Sequence, residues 1–141
     1  MNKDYVVLDT NIYISATFWQ GMPYRIVQLA LKQEILAFIS QDIFNEIRRV
    51  LERDFGRSKP EIDRAIDSFA LFTHSVEPKD RVSVIKDDPD DDRILECALA
   101  SGAFCIVSQD NHLLNLKEFR GIKILSPKQF LQSLPTMEGK S

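Results

Sequence analysis

The sequence predicts an α/β fold in which helices flank a central parallel β-sheet, and three observations favour it. Four short apolar runs, each bounded by polar or turn residues, have the length of buried strands. These runs are continuous rather than alternating, as in parallel strands that are covered on both faces. Between them lie longer segments with apolar residues at the three- and four-residue spacing of a helix. With 141 residues, the chain is long enough for one domain with a sizeable core.

Strands and helices alternate along most of the chain. The predicted strands are Tyr5–Leu8, Leu36–Ile39, Phe104–Val107 and Ile122–Leu125. The predicted helices are Tyr24–Glu34, Gln41–Arg53, Pro60–Thr73, Pro89–Ser101 and a last short one that begins at Ser126-Pro127 and runs to Leu134. Asp88 before Pro89 and Gly102 after Ser101 are the expected start and stop residues of the fourth helix. The segment Asp80–Asp87 is compatible with a further strand or with a loop. We expect one domain over residues 1–134 and a disordered polar tail over residues 135–141.

Composition excludes several classes of protein. The net charge of −3 gives no long-range positive field, so contact with nucleic acid requires a local patch or a metal ion. Cys97 and Cys105 lie in apolar surroundings without the spacing of a zinc or disulfide framework. They predict buried thiols in a reducing compartment, and we expect a cytoplasmic protein. No apolar run approaches the roughly 20 residues of a membrane span, so secretion and membrane insertion are not expected.

Two of the predicted strands end close to an aspartate. Asp9 directly follows Leu8, and Asp110 comes shortly after Val107. Ligands of open parallel α/β sheets bind outside the carboxyl ends of the strands. We therefore expect Asp9 and Asp110 to lie together at one edge of the sheet.

A dense acidic cluster opens the helix at Pro89, and its members are Asp87, Asp88, Asp90, Asp91 and Asp92. Acids at a helix N-terminus cap backbone N–H groups and interact favourably with the helix dipole, which explains one or two of them. The whole cluster repels itself unless a cation or a bound base offsets the charge. Asp91 lies three residues before Ile94 and four before Leu95, in the centre of the apolar stripe. We expect Asp91 to point inward, and Asp90 and Asp92 to point more toward water.

Glu46 is a fourth candidate acid, in the helix after the second strand. It lies three residues after Ile43 and four before Val50, on the flank of the apolar face. Taken alone, this position is typical of a surface glutamate paired with Arg49 or Arg53. Only convergence with the other three acids favours a functional role.

A metal site is predicted if these four acids converge in one cleft: Asp9, Glu46, Asp91 and Asp110. Four neighbouring carboxylates cannot all stay ionised without a countercharge. Mg²⁺ or Mn²⁺ supplies that charge, because these hard cations prefer oxygen ligands. One such ion, or a pair of ions, lowers the pKa of a bound water and holds a phosphate for in-line attack. The chemistry indicated by this pattern is phosphodiester hydrolysis.

Three segments carry a resemblance to a known family. "VVLDTNIYIS" resembles the opening strand of the PIN-domain nucleases with its metal-binding aspartate, here Asp9, and the Thr10-Asn11 pair that helps to orient it. "ISQDIFNEIRRVLER" is similar to the segment that carries the family's glutamate, here Glu46. "DPDDDRILECALASGAFCIVSQDNHLL" resembles the second half, in which one aspartate opens a helix and another follows the next strand. The chain looks most like the PIN-type (VapC-like) toxins of toxin–antitoxin pairs.

This resemblance implies a three-layer PIN-like fold, commonly dimeric, with a Mg²⁺- or Mn²⁺-dependent ribonuclease site. Counting back from Gly102 assigns the helix-opening aspartate to Asp91, with Asp92 as the fallback and Asp88 as an outer ligand. The last acid corresponds to Asp110, in a Ser-Gln-Asp where the family more often shows Thr-Gly-Asp. The implied substrate is RNA, and the implied partners are a small antitoxin protein and a second copy of the chain.

Other functions stay open on the sequence. A free-standing PIN-type nuclease in RNA processing would look the same, and a non-catalytic PIN-like module could bind RNA or protein. A haloacid-dehalogenase-type phosphatase needs a second aspartate where Asn11 stands. A phosphoacceptor receiver domain needs a late lysine near the acids, and Lys123 lies inside a predicted strand.

Three further features have an ordinary and a functional interpretation. A basic run follows Glu46 and comprises Arg48, Arg49, Arg53, Arg57 and Lys59. It fits a solvated helix face as well as the steering of phosphates. Phe18 and Trp19, in a predicted exposed loop, fit packing on a helix or stacking on bases. His112 fits an ordinary helix-start histidine or a contact with substrate.

Overall fold

Six strands form one sheet in the order β3-β2-β1-β4-β6-β5 in the computed structural model. It describes residues 2–135, and residues 2 and 3 by their backbone alone. The strands are β1 (Asn2–Leu8), β2 (Leu36–Ile39), β3 (His74–Ser75), β4 (Ala103–Val107), β5 (Glu118–Phe119) and β6 (Ile122–Leu125). Four of the five pairings are parallel, and only β5 runs antiparallel to its neighbour β6. The predicted α/β class with a central parallel sheet is confirmed, and the structure adds the antiparallel edge strand β5.

The central strand β1 sets the position of the functional edge. Val6, Val7 and Leu8 are fully buried, as the continuous apolar run predicts. Leu8 pairs with Val107 of β4, so the two strands end side by side. The backbone N–H of Asp9 donates to the carbonyl of Val107 at 2.9 Å. The residues that follow both strands therefore emerge at the same edge of the sheet.

Seven helices complete the described part of the chain: α1 (Thr10–Phe18), α2 (Met22–Leu31), α3 (Gln41–Arg53), α4 (Lys59–Ala70), α5 (Pro89–Ser101), α6 (Asn111–Leu114) and α7 (Pro127–Ser133). Helix α5 packs against β1, β2 and β4, while α1 contacts α2 and α3. Gly102 ends α5 in the left-handed conformation, with φ of 68°. Within residues 2–135, no helix combines the length and apolar character needed to cross a membrane.

The predicted boundaries agree fully with the structure at two strands and two helices. Strands β2 and β6 and helices α3 and α5 have the predicted limits, whereas α4 ends at Ala70 and α2 begins at Met22. Helix α1 is not predicted, because its buried residues Ile12, Tyr13 and Ile14 are consecutive and show no helical period. Asp80–Asp87 contains neither helix nor strand. Of the predicted disordered tail, residues 136–141 lie outside the described range.

Both cysteines are buried thiols, as the sequence predicts. Cys97 of α5 and Cys105 of β4 are both buried and unbridged. Burial raises the pKa of each thiol to about 12, so both stay protonated at neutral pH. They act as small apolar side chains in the core.

Candidate metal centre

Asp9 lies at the end of β1, where it also caps α1. Its side chain is 3% exposed. The Ser108 hydroxyl donates to Asp9 Oδ2 at 2.7 Å, and the Thr10 backbone N–H donates to Asp9 Oδ1 at 2.8 Å. Both carboxylate oxygens are therefore oriented by short bonds from the elements on either side.

Ser108 links Asp9 to Asp110, the second strand-end acid. The backbone N–H of Asp110 donates to Ser108 Oγ at 2.9 Å, so one hydroxyl joins the ends of β1 and β4. Asp110 caps α6 by accepting from the His112 backbone N–H at 2.7 Å. The side chain of Gln109, where the sequence departs from the family pattern, accepts from the Ser15 hydroxyl at 3.3 Å.

Asp91 points inward from the first turn of α5, as its place in the apolar stripe predicts. It is 3% exposed, and its Oδ2 atom is buried without a hydrogen-bond partner among the described residues. One ligand atom from Asp91 lies within 4.8 Å of one from each of Asp88, Asp110 and His112. The distance from His112 Nδ1 to Asp91 Oδ2 is 3.7 Å, and to Asp110 Oδ1 it is 3.6 Å. We call these four residues the acidic cluster.

Glu46 reaches the same edge from α3, where burial and then the nearby charges of Asp90 and Asp88 raise its pKa. The Thr10 hydroxyl donates to Glu46 Oε1 at 2.6 Å, and the side chain is half-buried. The two arginines that the sequence offers as partners bind other acids, Arg49 to Asp90 and Arg53 to Asp54. Glu46 is therefore bound to the residue next to Asp9 rather than to a surface arginine.

Repulsion and burial oppose ionisation of these carboxylates. Burial is the main cause that raises the pKa of Asp9 to about 7, and the charges of Glu46 and Asp110 act in the same direction, against the Ser108 hydrogen bond. Burial also raises the pKa of Asp91 to about 9, followed by the charge of Asp9. Burial raises the pKa of Glu46 as well. Without a countercharge the site holds protons at neutral pH.

The donor set fits a hard divalent cation. Its carboxylate oxygens are the ligands that Mg²⁺ and Mn²⁺ prefer, and the imidazole of His112 lies at the solvent side. The unpartnered, buried Oδ2 of Asp91 is the sharpest sign, because a buried carboxylate oxygen normally has a partner. Asp9 and Glu46 lie outside the acidic cluster itself. Of the four predicted acids, Asp91 and Asp110 lie in the acidic cluster, and Asp9 adjoins it through Ser108 and through the effect of its charge on Asp91.

The prediction that Asp92 points toward water is wrong. Asp92 is 3% exposed, and its Oδ1 accepts the backbone N–H groups of Val84 and Ile85 at 3.0 and 2.9 Å. One turn later, Glu96 is 2% exposed and accepts the Val82 N–H at 2.8 Å. The loop before α5 has no strand partner, so these two acids satisfy its backbone. The helical periodicity did not predict the burial of Asp92, because the loop covers a face of α5 that the periodicity assigns to solvent.

The chain is similar to known proteins in sequence and in fold. A family model described as PIN domain matches residues 5–112 of the chain. No match was found among curated protein sequences. Eight chains of solved structures match. One of them belongs to the crystal structure of VapBC2 from Rickettsia felis bound to a DNA fragment from their promoter. That chain is 15% identical with a TM-score of 0.63, and the match covers 86% of this chain and 98% of the other, which shows a shared fold.

Replacing Asp92 tests its role as an acceptor of backbone N–H groups from the loop before α5. Asp92→Ala leaves the N–H groups of Val84 and Ile85 without their acceptor, and we expect a loss of roughly 1–3 kcal/mol in the free energy of unfolding. Asp92→Asn keeps an oxygen at the accepting position and should lose clearly less. Urea unfolding of both variants measures this. An Asn variant as unstable as the Ala variant would show that the charge of Asp92 is needed instead.

The raised pKa values of Asp9 and Asp91 make the metal-free protein sensitive to pH. An aspartate in the unfolded chain titrates near pH 3.9, so the folded state binds these protons more tightly. The stability that these two protons contribute is fully present below about pH 4, so we expect the thermal midpoint in EDTA to fall as the pH rises from about 4 through 7 toward 9. Asp91→Asn should flatten the fall between pH 7 and 9. An unchanged slope in that variant would contradict the raised pKa of Asp91.

Proposed function

The chain belongs to the PIN domain family, and on that premise we propose that it is a metal-dependent endoribonuclease that hydrolyses RNA phosphodiester bonds. One observation carries the proposal: acids from the ends of β1 and β4 and from the start of α5 meet at one edge of the sheet, Asp9 and Asp91 are almost fully buried there, and among the described residues only the half-exposed His112 forms an ion-pair contact with them. A site that serves only stability would instead pair these acids with basic side chains. A divalent cation and an anionic phosphate complete the charge balance.

We assign Asp9, Glu46, Asp91 and Asp110 as the residues that hold Mg²⁺ or Mn²⁺, with Asp88 as an outer ligand. When bound, the ion supplies Lewis-acid stabilisation of the phosphate and a lowered pKa for a water nucleophile. The Asp91 Oδ2 atom is the most available ligand, since it has no hydrogen-bond partner among the described residues and its contact with His112 Nδ1 is long, at 3.7 Å. Asp92 is not assigned, because its Oδ1 atom is already occupied by two backbone N–H groups.

The neighbours of these acids fix their geometry. Ser108 and Thr10 hold the two oxygens of Asp9 in different directions, and the Thr10 hydroxyl holds Glu46. Ligands fixed in this way need little reorganisation when an ion binds. Thr10 and Ser108 are therefore proposed as positioning residues, in agreement with the orienting role that the family resemblance implies for Thr10.

His112 lies at the solvent side of the acidic cluster. Its ring is about half exposed, and Nδ1 approaches both Asp91 and Asp110. An imidazole there is placed to donate a hydrogen bond to a phosphate oxygen of the substrate. This proposal favours the substrate-contact interpretation of His112 over that of an ordinary helix-start residue.

We place this nuclease in a toxin–antitoxin pair. The support is the shared fold with a chain from the VapBC2 structure, together with the resemblance of the sequence to PIN-type toxins. The antitoxin partner would cover the acidic edge or an adjoining surface. A homodimer and a cytoplasmic location belong to the same proposal. Free-standing RNA processing is the alternative if no partner protein exists.

Cleavage of RNA tests the activity. We expect the protein to cut single-stranded RNA in the presence of Mn²⁺ or Mg²⁺ and to lose that activity in EDTA. Asp91→Asn and Asp110→Asn should each lower kcat/KM by roughly 100-fold or more, because outer ligands alone often account for 10- to 100-fold. Asp67→Asn, on the exposed side of α4, is the matched control and should keep full activity. Cleavage that persists in EDTA would refute the proposal, and Mn²⁺ binding without cleavage would favour the non-catalytic module.

Expression in bacterial cells tests the toxin role. Induction of the wild-type chain should arrest growth, while induction of Asp91→Asn to the same protein level should not. The Asp67→Asn control should arrest growth like the wild type. Normal growth with an enzyme that cleaves RNA in solution would assign the chain to RNA processing instead.

A further inference from the structure

A line of arginine and aromatic side chains leads away from the metal centre along α3. It contains six residues, which we call the arginine–aromatic track: Arg49, Arg53, Arg57, Phe18, Trp19 and Phe55. The first two lie on α3, and the others lie at the ends of α1 and α3 or in the turn after α3. The proposed chemistry at the acidic cluster does not use any of them.

Contacts between α1 and α3 fix the direction of the track. At one end, Thr10 of α1 donates to Glu46 of α3 beside the metal centre. At the other end, the rings of Phe18 and Phe55 stack at 4.5 Å with an interplanar angle of 13°. Thr10 to Phe18 and Glu46 to Phe55 each span eight or nine residues, which corresponds to about 12–14 Å along a helix. The track therefore joins the metal centre to an aromatic surface a few nucleotides away.

The arginines are exposed, and so are the carboxylates with which they pair. Arg49 and Arg53 are one helical turn apart, and their side chains are 52% and 67% exposed. Arg49 pairs with Asp90, next to the acidic cluster, and Arg53 pairs with its chain neighbour Asp54. Exposed pairs of this kind contribute little stability. A phosphate can replace the carboxylate partner, because guanidinium groups bind phosphates in the same bidentate way.

The aromatic end of the track offers a surface for a base. Trp19 contacts Phe18 and Phe55 by its edge, at centroid distances of 5.8 and 6.4 Å, and stays 59% exposed. The guanidinium carbon of Arg57 lies 5.0 Å from the centroid of the Phe18 ring. The sequence offered packing of Trp19 on a helix or stacking on bases, and its exposure favours the second. Exposed aromatic rings beside arginines are the groups on which unpaired bases stack.

We propose that the arginine–aromatic track binds the single-stranded RNA that enters the metal centre, with backbone phosphates on Arg49 and Arg53 and an unpaired base on Trp19. This inference rests on the proposed nuclease function and adds the way in which the substrate is held. It explains how a chain with a net charge of −3 attracts RNA through a local patch. A duplex is disfavoured, because its bases are already stacked and cannot reach Trp19.

Trp19 is the chain's one tryptophan, so its fluorescence reports on this surface alone. The experiment uses the full chain with Asp91→Asn as a common background, which keeps the RNA intact. Oligouridylate and a duplex RNA of equal length are titrated, with tryptophan quenching and the anisotropy of labelled RNA as the two readouts. The variants are Trp19→Ala, Arg53→Ala and, as a control, Lys128→Ala, which removes one exposed positive charge from α7. Circular dichroism melting checks that each variant is folded.

We expect oligouridylate to quench Trp19 and to bind more tightly than the duplex. Trp19→Ala should weaken binding roughly tenfold, a typical effect of losing one stacked base. Arg53→Ala should weaken it several-fold and reduce the log–log salt slope by about 0.7, the value for one lost phosphate contact on a single strand. Lys128→Ala should change neither quantity.

Three results would overturn the proposal: unchanged binding in both track variants, equal affinity for the duplex, or a Trp19→Ala effect on oligomeric state without one on RNA affinity. The last would identify a protein interface. Failure of the nuclease proposal gives a different result. The wild type would then not cleave RNA, while the track variants would still bind RNA more weakly than the control.

Discussion

Repulsion between buried carboxylates is the interaction on which the rest of this site depends. Asp9 and Asp91 are almost completely buried, and besides burial the charges of neighbouring acids raise the pKa of both. Two buried aspartates in contact with other acids would destabilise a protein that had no use for them. The sheet, the capping hydroxyls and the acid-rich start of α5 form a scaffold that tolerates this repulsion and leaves the site ready for a cation.

The scaffold tolerates this repulsion because three of the acids also satisfy backbone donors. Asp9, Asp88 and Asp110 are the N-caps of α1, α5 and α6, and each accepts a backbone N–H. Helix N-termini carry partial positive charge, which offsets part of the repulsion. Ser108 then couples two of these caps through a single hydroxyl. Local capping chemistry and the metal centre are thus built from the same residues, and three helix starts converge on one edge of the sheet.

Much of the fold and of the metal centre could be predicted from the sequence, because the patterns that indicate them lie within short segments of the chain. Continuous apolar runs located β1, β2, β4 and β6, and strand-end positions placed Asp9 and Asp110 at a common edge. The helical period of α5 correctly turned Asp91 inward. The same period failed for Asp92, because a loop without secondary structure covers that face and no periodic pattern describes such a loop. The role of Ser108 and the approach of His112 depend on distances between separate elements, which spacing along the chain does not contain.

A crystal soaked with Mn²⁺ tests the convergence of these acids most directly. We predict an anomalous difference peak between Asp91 and Asp110, with the Asp91 Oδ2 atom at about 2.1 Å, near the distance for small divalent cations. Asp9 or Glu46 should bind the same ion directly or through water, and the Asp92 carboxylate should keep its bonds to the loop. A peak bound by Asp92 in place of Asp91, or no peak at this edge at millimolar Mn²⁺, would contradict the assignment of a metal centre.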